Sequence, residues 1–515
     1  MSVLPRLANA VWHAAARREA RAFARTADAA ALAETQRRLL LGIVRANADT
    51  EFGRGHGFHR IQTWDDYRAA VPLASFDDVR GAVERIGQGE ARVLTASPVV
   101  RLEPTSGTSS GSKRVPYTRG LQRAFRRGLD AWIADLFGRW PDVRRGPAYW
   151  SVTPLASGPQ RTPAGLPIGF DDDAAYLGGI VGRLMQRALA VPTHVKRLPD
   201  LDAFRYATLR HLVQARGLRL VSVWNPTFFS LLLDALPAFW DRLMDDVDDD
   251  RLRRIGPDPV RLWPRLALVS AWADAAAEAP ARALAARLPH AVFQPKGLLA
   301  TEALVTIPVG DGPGAALAAR CHAFEFLPDE DAATDTRLAH DLAPGQTYRV
   351  AVTTQGGFYR YRLGDRVQVV GHDGARPRLR FVGRAAGVDL VGEKLDEVHV
   401  RHAMHGAVPG ARFALLAPLP GVPPAYGLFV ETDAAPSALR EAAHRLDAAL
   451  RTNVHYDGAR RLGQLGAVRA FRVEEDGAAA FLRACVARGQ RLGDVKPTAL
   501  HRAADWSERL RGRFA

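Results

Sequence analysis

A chain of 515 residues is too long for one ordinary hydrophobic core and implies two or three domains. With 47% hydrophobic and 24% charged residues it reads as a soluble globular protein, and its two cysteines, Cys321 and Cys485, are too few for a disulfide framework or a zinc site and fit a reducing compartment, the cytoplasm by default. The net charge of +15 is carried by arginines scattered along the chain, with no basic block interleaved with aromatics, so no nucleic-acid partner is expected.

Residues 3 to 48 carry apolar side chains at helical spacing, as in Leu39, Leu40, Ile43 and Val44, and predict one or two helices. The Ala/Arg-rich start has a faint presequence character, but Arg6, Arg17, Arg18, Arg21 and Arg25 interrupt any apolar core, so it is read as a surface helix. Val99 to Leu102 predicts a short strand delivering a Thr/Ser/Gly loop, and Gly120 to Phe137 a helix leaving it. Leu218 to Trp224 predicts a strand, and Phe228 to Leu236 a helix behind the Asn225-Pro226-Thr227 turn. The apolar stretch Phe228 to Trp240 is broken by Asp234 and Pro237 and is too short to span a bilayer, so no membrane partner is expected.

Leu266 to Ser270, Pro280 to Arg287 and Val292-Phe293 repeat the strand and helix alternation, which implies βαβ units and largely parallel sheet. From about residue 317 strands and turns dominate, including Tyr348 to Thr354, Arg366 to Val370 and Leu379 to Val382. No internal repeat or low-complexity linker is evident. Gly-Arg-Ala-Ala-Gly at 383 to 387 marks a boundary, where two glycines ease large backbone changes. The chain divides there into a large domain, 1–383, and a small α+β lid, 384–515, with a hinge about 383–388.

The most informative stretch is 103 to 118, in which nine of sixteen residues are Thr, Ser or Gly and Lys113-Arg114 follow. Hydroxyls, unencumbered backbone N–H groups and a compact cation at close quarters suit a polyphosphate. It is not a Walker A loop, because Gly107 and Gly111 are four apart and Ser112 separates the second glycine from the lysine. Gly107-Thr108-Ser109-Ser110-Gly111 also matches a hydrolase nucleophile elbow, but an elbow has no use for Thr105, Ser106, Ser112 and Lys113. His399, His402 and His405 could place two ligands on one helix face, yet no further ligand cluster is near and a solvated face is the simpler reading. Of the 70 basic residues only Lys113, Lys196, Lys296, Lys394 and Lys496 are lysine, so a lysine that survives this arginine bias marks a position wanting a rotatable ammonium.

Four segments in order, the Thr/Ser/Gly loop with Lys113, Ala300-Thr301-Glu302, Tyr359-Arg360-Tyr361-Arg362-Leu363-Gly364-Asp365 and Gly392-Glu393-Lys394-Leu395-Asp396-Glu397, together resemble the auxin-responsive Gretchen Hagen family of acyl-acid amido synthetases. The similarity extends to Leu450-Arg451-Thr452-Asn453, Tyr456 and Gly493-Asp494-Val495-Lys496-Pro497. The resemblance implies an α/β fold of the adenylate-forming type, with mixed sheets in a large N-terminal domain and a mobile C-terminal one. It implies ATP with Mg²⁺, a small carboxylic acid and an amine, expected to be an amino acid, and the chain is expected to be a monomer.

It further implies that Thr108, Ser109, Ser110, Gly111 and Lys113 hold the β- and γ-phosphates, Thr301 bonds the α-phosphate and Glu302 ligates Mg²⁺. Asp365 would take both ribose hydroxyls, since an ionised carboxylate offers two acceptors to a diol. Arg384 and Lys394 would contact phosphate or ribose near the hinge, and Lys496 would reach the α-phosphate and acyl carboxylate when the lid closes. Lys296, with Gly297, Leu298, Leu299 and Ala300, would border the adenine. Two departures stand out: Ala303 replaces a glycine common in relatives, and Lys496-Pro497-Thr498 ends differently from the plant pattern.

Overall fold

The computed structural model describes the chain outside residues 1–2, 106–112, 151–159, 170–187, 199, 330–334, 385–386, 389, 392, 394, 475, 489 and 491–494. Two helices open it, Val3–Ala24 and Ala29–Ala46, as the spacing predicts. Asp28 caps the second by accepting from Ala31 N at 2.8 Å, and Leu32, Leu40, Leu41, Ile43 and Val44 are its buried stripe.

Strands β1 (Val99–Pro104) and β2 (Arg114–Thr118) pair antiparallel, with Pro104 opposite Arg114 and Thr105 N–H donating to Lys113 O at 2.8 Å. The chain therefore returns across the Thr/Ser/Gly segment as a second strand, which corrects the strand, loop, helix order read from the sequence. The helix Arg119–Arg139 begins only after β2, capped by Thr118. Val115, Pro116, Tyr117 and Thr118 are all buried, so no polar alternation survives to announce the strand.

Strands β3 (Ala148–Trp150), β4 (Gln160–Arg161) and β5 (Pro167–Ile168) follow, the last two completing a sheet of order β2-β1-β5-β4. Strand β3 instead joins β6 (Leu220–Ser222), β7 (Leu268–Ala271) and β8 (Val292–Pro295) in a parallel sheet, the βαβ arrangement expected, with helices Pro226–Ala235 and Glu278–Arg287 in its crossovers. Its two faces serve different cores. Ala148, Leu220 and Leu268 pack with Phe125, Trp132 and Ile133 of the helix Arg119–Arg139. Tyr149, Val221, Val223, Val269 and Ala271 pack with Phe228, Phe229 and Leu232.

Strands β9 (Thr306–Ile307) to β14 (Arg376–Arg384) build an antiparallel sheet of order β11-β12-β13-β14-β10-β9, where β10 is Ala315–Leu317, β11 Ala323–Pro328, β12 Thr347–Thr353 and β13 Tyr361–Asp373. After it come the helix Glu397–Ala407 and a sheet β15-β16-β17-β18, formed by Phe413–Leu419, Ala425–Glu431, Arg469–Val473 and Gly512–Phe514. Leu415, Phe429, Phe471, Phe481 and Trp506 from this last part join the core built on Val221 and Val269, so the C-terminal sheet is seated on the outer helices of the parallel one. Gly387 is held by packing as well as being conformationally permissive, because a Cβ there would collide with Leu395 O.

A buried ion pair fixes the entry to β13. Arg360, at a left-handed φ of 43°, donates through Nε and Nη2 to the Glu325 carboxylate at 3.0 and 3.1 Å and through Nη1 to Val71 O at 2.9 Å. Glu325 also accepts from Arg68 and Thr336. Removing the acid would strand a buried guanidinium, so Glu325→Ala should lower folding stability by about 3 to 5 kcal/mol in urea titrations. A loss below about 1 kcal/mol would show that the pair does not organise this sheet.

Candidate active site

Strands β6 and β7 carry one heptapeptide pattern twice, a short repeat that went unrecognised in the sequence: Leu218-Arg219-Leu220-Val221-Ser222-Val223-Trp224 and Leu266-Ala267-Leu268-Val269-Ser270-Ala271-Trp272. The copies lie side by side in register, Ser222 opposite Ser270, and Trp272 N–H donates to Trp224 O at 3.0 Å. Trp150 of β3 and Gln294 of β8 extend the same row, so Trp150, Ser222, Ser270 and Gln294 share one sheet face under Trp132.

Lys296, two residues beyond Gln294 and hence on that face, has 5% of its surface exposed. Its Nζ donates to Ser222 Oγ at 2.8 Å and lies 4.6 and 4.9 Å from the ring centres of Trp132 and Trp224. Among the described residues no carboxylate compensates it, and burial pulls its pKa down to about 7. Gln294 is satisfied, accepting from Trp132 Nε1 at 3.0 Å and donating to Pro308 O at 3.2 Å. The Ser270 hydroxyl is buried with no hydrogen-bond partner among the described residues.

The chain leaving β8 makes a tight turn. Leu298 N–H donates to Thr306 Oγ1 at 2.7 Å, Val305 N–H to Leu298 O at 2.9 Å and Ala300 N–H to Ala303 O at 2.9 Å, which leaves Thr301 and Glu302 at the tip. Leu299 pairs with Leu304 across the same turn, and Ala303 is fully buried, so its methyl fills the place a glycine would leave open. Tyr117 of β2 donates to Thr301 O at 3.3 Å, and Tyr361 at the start of β13 points its hydroxyl at Glu302 Oε1, 3.5 Å away. Asp365, four residues along β13 and 2% exposed, stands opposite Arg384 of β14 and accepts from its Nε at 3.2 Å.

These groups share one field. Burial raises the Glu302 carboxyl above the usual carboxylate range and Asp365 adds to the rise, while Arg384 and Lys113 oppose it. Arg384 is held in its charged form chiefly by Asp365. An acid pair, Asp365 buried and Glu302 half-buried, facing two cations suits a ligand that brings both negative charge and a metal ion.

Lys496 reaches the same edge from the C-terminal part. Its Nζ lies 4.8 Å from the ring centre of Trp272 and 5.9 Å from that of Phe381, whose rings meet edge to face. Asp274, beside them, has its carboxyl pushed up to about 6 by burial, opposed by the Phe381 N–H, Arg380 and Lys496. Val495 O accepts from Asn225 Nδ2 at 2.7 Å, and Thr498 Oγ1 donates to Glu397 Oε1 at 2.8 Å, so the residue that departs from the plant pattern ties this segment to the helix Glu397–Ala407.

Thr301, Glu302, Asp365 and Arg384 thus gather at the start of β13 and the end of β14, with Lys113 near enough to act on Glu302, while Lys496 lies by Trp272 and by Phe381 of β14. Thr108, Ser109, Ser110, Gly111 and Lys394 lie outside the described residues. Of the neighbouring motif, Glu393 is fully buried and accepts from Leu390 N, Val391 N and Tyr426 OH, while Asp396 caps the helix Glu397–Ala407. His399 packs at 3.3 Å from Leu450 O. Tyr117, Tyr361, Trp272, Phe381 and Asp274 were not assigned from sequence, although the repeated Leu-Val-Ser-x-Trp pattern could have pointed to Trp272.

Three family models match the chain: the GH3 family N-terminal domain over residues 26–277, the GH3 family central domain over 315–384 and the GH3 family C-terminal domain over 395–504. The indole-3-acetic acid-amido synthetase GH3.8 of Oryza sativa subsp. indica is 25% identical over 448 residues, covering 72% of this chain and 70% of that protein. The indole-3-acetic acid-amido synthetase GH3.3 of Arabidopsis thaliana is 22% identical over 433 residues, covering 72% and 71%. Among solved structures, the GH3.15 acyl acid amido synthetase superposes with a TM-score of 0.78 at 17% identity, covering 94% of this chain and 93% of that one. The same enzyme in complex with 2,4-DB gives 0.80, also at 17% identity, covering 94% of each.

The uncompensated Lys296 yields a stability test. Its pKa is about 7 folded against 10.5 for an ordinary lysine, so between those values the unfolded chain holds a proton that the folded one sheds, and stability rises with pH across that window. Lys296→Met should therefore be more stable than the parent by about 1 to 4 kcal/mol below pH 7, with the difference shrinking towards pH 10. Urea titrations of both proteins at pH 6.5 and 9.5 measure it. A methionine variant less stable at both pH values would make Lys296 a structural requirement.

Proposed function

The chain belongs to the GH3 family, and from that premise we propose that it is an ATP-dependent acyl-acid amido synthetase. A carboxylate oxygen of the acid attacks the α-phosphorus of ATP and pyrophosphate leaves. An amine nitrogen, from an amino acid, then attacks the acyl carbon of the adenylate, AMP leaves with the bonding pair and the nitrogen loses a proton. The observation that carries this reading is the convergence of Thr301, Glu302, Asp365 and Arg384 on one edge already bordered by Lys113 and Lys496.

The first step sets two anions against each other, so the site must supply positive charge and an in-line approach. On this reading Lys113 and the hydroxyl-rich loop before it hold the terminal phosphates, and Thr301 bonds the α-phosphate. Asp365, already accepting from Arg384 through one oxygen, offers the other to the ribose diol. Glu302 is a hard oxygen donor whose burial disfavours its bare charge, which fits a Mg²⁺ ligand; the ion would neutralise polyphosphate charge there. Lys496 stabilises charge at the reacting centre, and the aromatic seat of Trp272 and Phe381 helps to hold its ammonium. Residues 384–515 act as the lid that delivers it.

Lys113→Ala and Glu302→Ala should each weaken acid-dependent ATP/pyrophosphate exchange by about 1.5 to 3 kcal/mol in binding or transition-state energy while leaving the fold intact by circular dichroism. Wild-type exchange in both would overturn the nucleotide assignment. Lys496→Ala should slow adenylate formation on the order of a hundredfold, yet transfer the acyl group of a chemically prepared adenylate to the amine at nearly the parent rate. Equal loss in both half-reactions would make Lys496 structural or common to both steps. Thioester formation with CoA in place of amide would move the chain to acid–thiol ligation.

A further inference from the structure

Lys296, which the resemblance sets only at the border of the adenine, takes no part in the adenylation steps above, and it is costly to keep buried. An ammonium with 5% of its surface exposed, one hydroxyl partner and two indole walls loses most of its hydration for little return. Beside Ser222, the second hydroxyl of the row, Ser270, is buried with no hydrogen-bond partner among the described residues. Two neighbouring donors left underused on one buried face point to an acceptor that belongs to a ligand.

The position says which ligand. Lys296, Trp224 and Trp272 stand at the carboxyl ends of adjoining parallel strands, where ligands of open α/β sheets bind. Lys296 N–H continues the sheet by donating to Ala271 O at 2.9 Å, one residue before Trp272, whose ring carries Lys496. Along the chain Lys296 precedes Thr301 by five residues, a reach of at most about 17 Å when extended. An acid whose carboxylate lay at Thr301 and Lys496 and whose far end ran over the indoles would meet Lys296. Flat aromatic walls accept a ring or chain, and the ammonium and hydroxyl at the end accept an oxygen.

We propose that Lys296, with Ser222 and Ser270, is the specificity-determining pole of the acyl pocket and selects acids that carry a second oxygen, hydroxyl or carboxylate, at the end remote from the reacting carboxylate. This rests on the adenylation reading above. A substrate oxygen would take the open donor positions of the lysine and Ser270, and an acid lacking it would leave them unsatisfied, which is a stronger basis for rejection than a poor apolar fit.

Matched acids test it by ATP/pyrophosphate exchange: benzoate against 4-hydroxybenzoate, 3-phenylpropanoate against 3-(4-hydroxyphenyl)propanoate, and hexanoate against adipate. In the parent, at least one oxygen-bearing member should exceed its partner by about 10- to 100-fold in kcat/KM, chiefly through KM, and the hydroxyl and carboxylate pairs separate the two oxygen types. Lys296→Met should bring that ratio to about one or below, Lys296→Arg should not restore it, and Ser270→Ala should reduce it in part. Thermal melts of each variant confirm that the fold is kept. A parent that prefers the unsubstituted acids, or a methionine variant that loses all acids in equal proportion, overturns the role of Lys296 and leaves adenylation standing. Exchange with none of the acids overturns both.

Discussion

The geometry of the strand edge depends on a buried guanidinium. Arg360 sits in a left-handed backbone conformation that a non-glycine residue adopts only when its surroundings compel it, and the compulsion is visible: two bonds to Glu325 and one to Val71 O. This pins the point at which β13 begins. From there the two-residue period of a strand places Tyr361 against Glu302 and Asp365 against Arg384. Tyr359, on the other side of Arg360, donates to Leu94 O and stacks on Phe52 at 4.6 Å, which anchors the same segment to the helical N-terminal part. A motif that reads as one functional run is thus divided between residues that hold the frame and residues that face the site.

Arginine and lysine divide the interior differently. Arg378, 2% exposed, spends its fork on Pro313 O, Val309 O, Gly312 O, Gly314 O and Asp373, a planar donor set matched to fixed acceptors. Arg376 and Arg360 are used likewise. At the surface, Arg85 bridges Glu51 and Glu90, and Arg412 bridges Glu431 and Asp433, so these arginines are tied to local acids. The two lysines at the strand ends are seated against indoles instead, Lys296 over Trp224 and Lys496 over Trp272, at nearly the same distance and on the two copies of one sequence pattern.

Much of the fold was legible because it is local. Helical spacing found the opening helices, apolar runs found β6, β7 and β12, and Pro280 in the first turn marked the helix Glu278–Arg287. Strand β2 was not, because burial on both faces removes the alternation that identifies a strand. The site was legible only as far as motif residues go. Thr301, Glu302, Asp365 and Arg384 came from short runs, whereas Tyr117, Ser222 and Trp132 meet Thr301 and Lys296 across 74 to 184 residues of sequence. The arginine bias did single out Lys296 as a position to be explained. What it could not show is that the lysine lies inside the molecule, since that depends on strands β6 and β8 being two apart in the sheet.

The repeat explains why the two lysines are not arginines. Aligned strands β6 and β7 give the edge a leucine, a serine and a tryptophan in parallel rows, so each indole offers a π face beside a hydroxyl-bearing row. A guanidinium could stack on such a face, but its five fixed donors would then need partners that neither Ser222 nor Ser270 can supply together. An ammonium is compact, turns about its stem, and can exchange a protein acceptor for a ligand one without moving the ring beneath it. At Lys296 the sheet holds the backbone still and the side chain is deep, which suits recognition of a fixed feature of the substrate. At Lys496 the backbone comes from the C-terminal segment, fastened through Val495 O to Asn225 and through Thr498 to Glu397. One strand-end design thereby seats two cations, and the difference between them lies in which part of the chain carries the lysine.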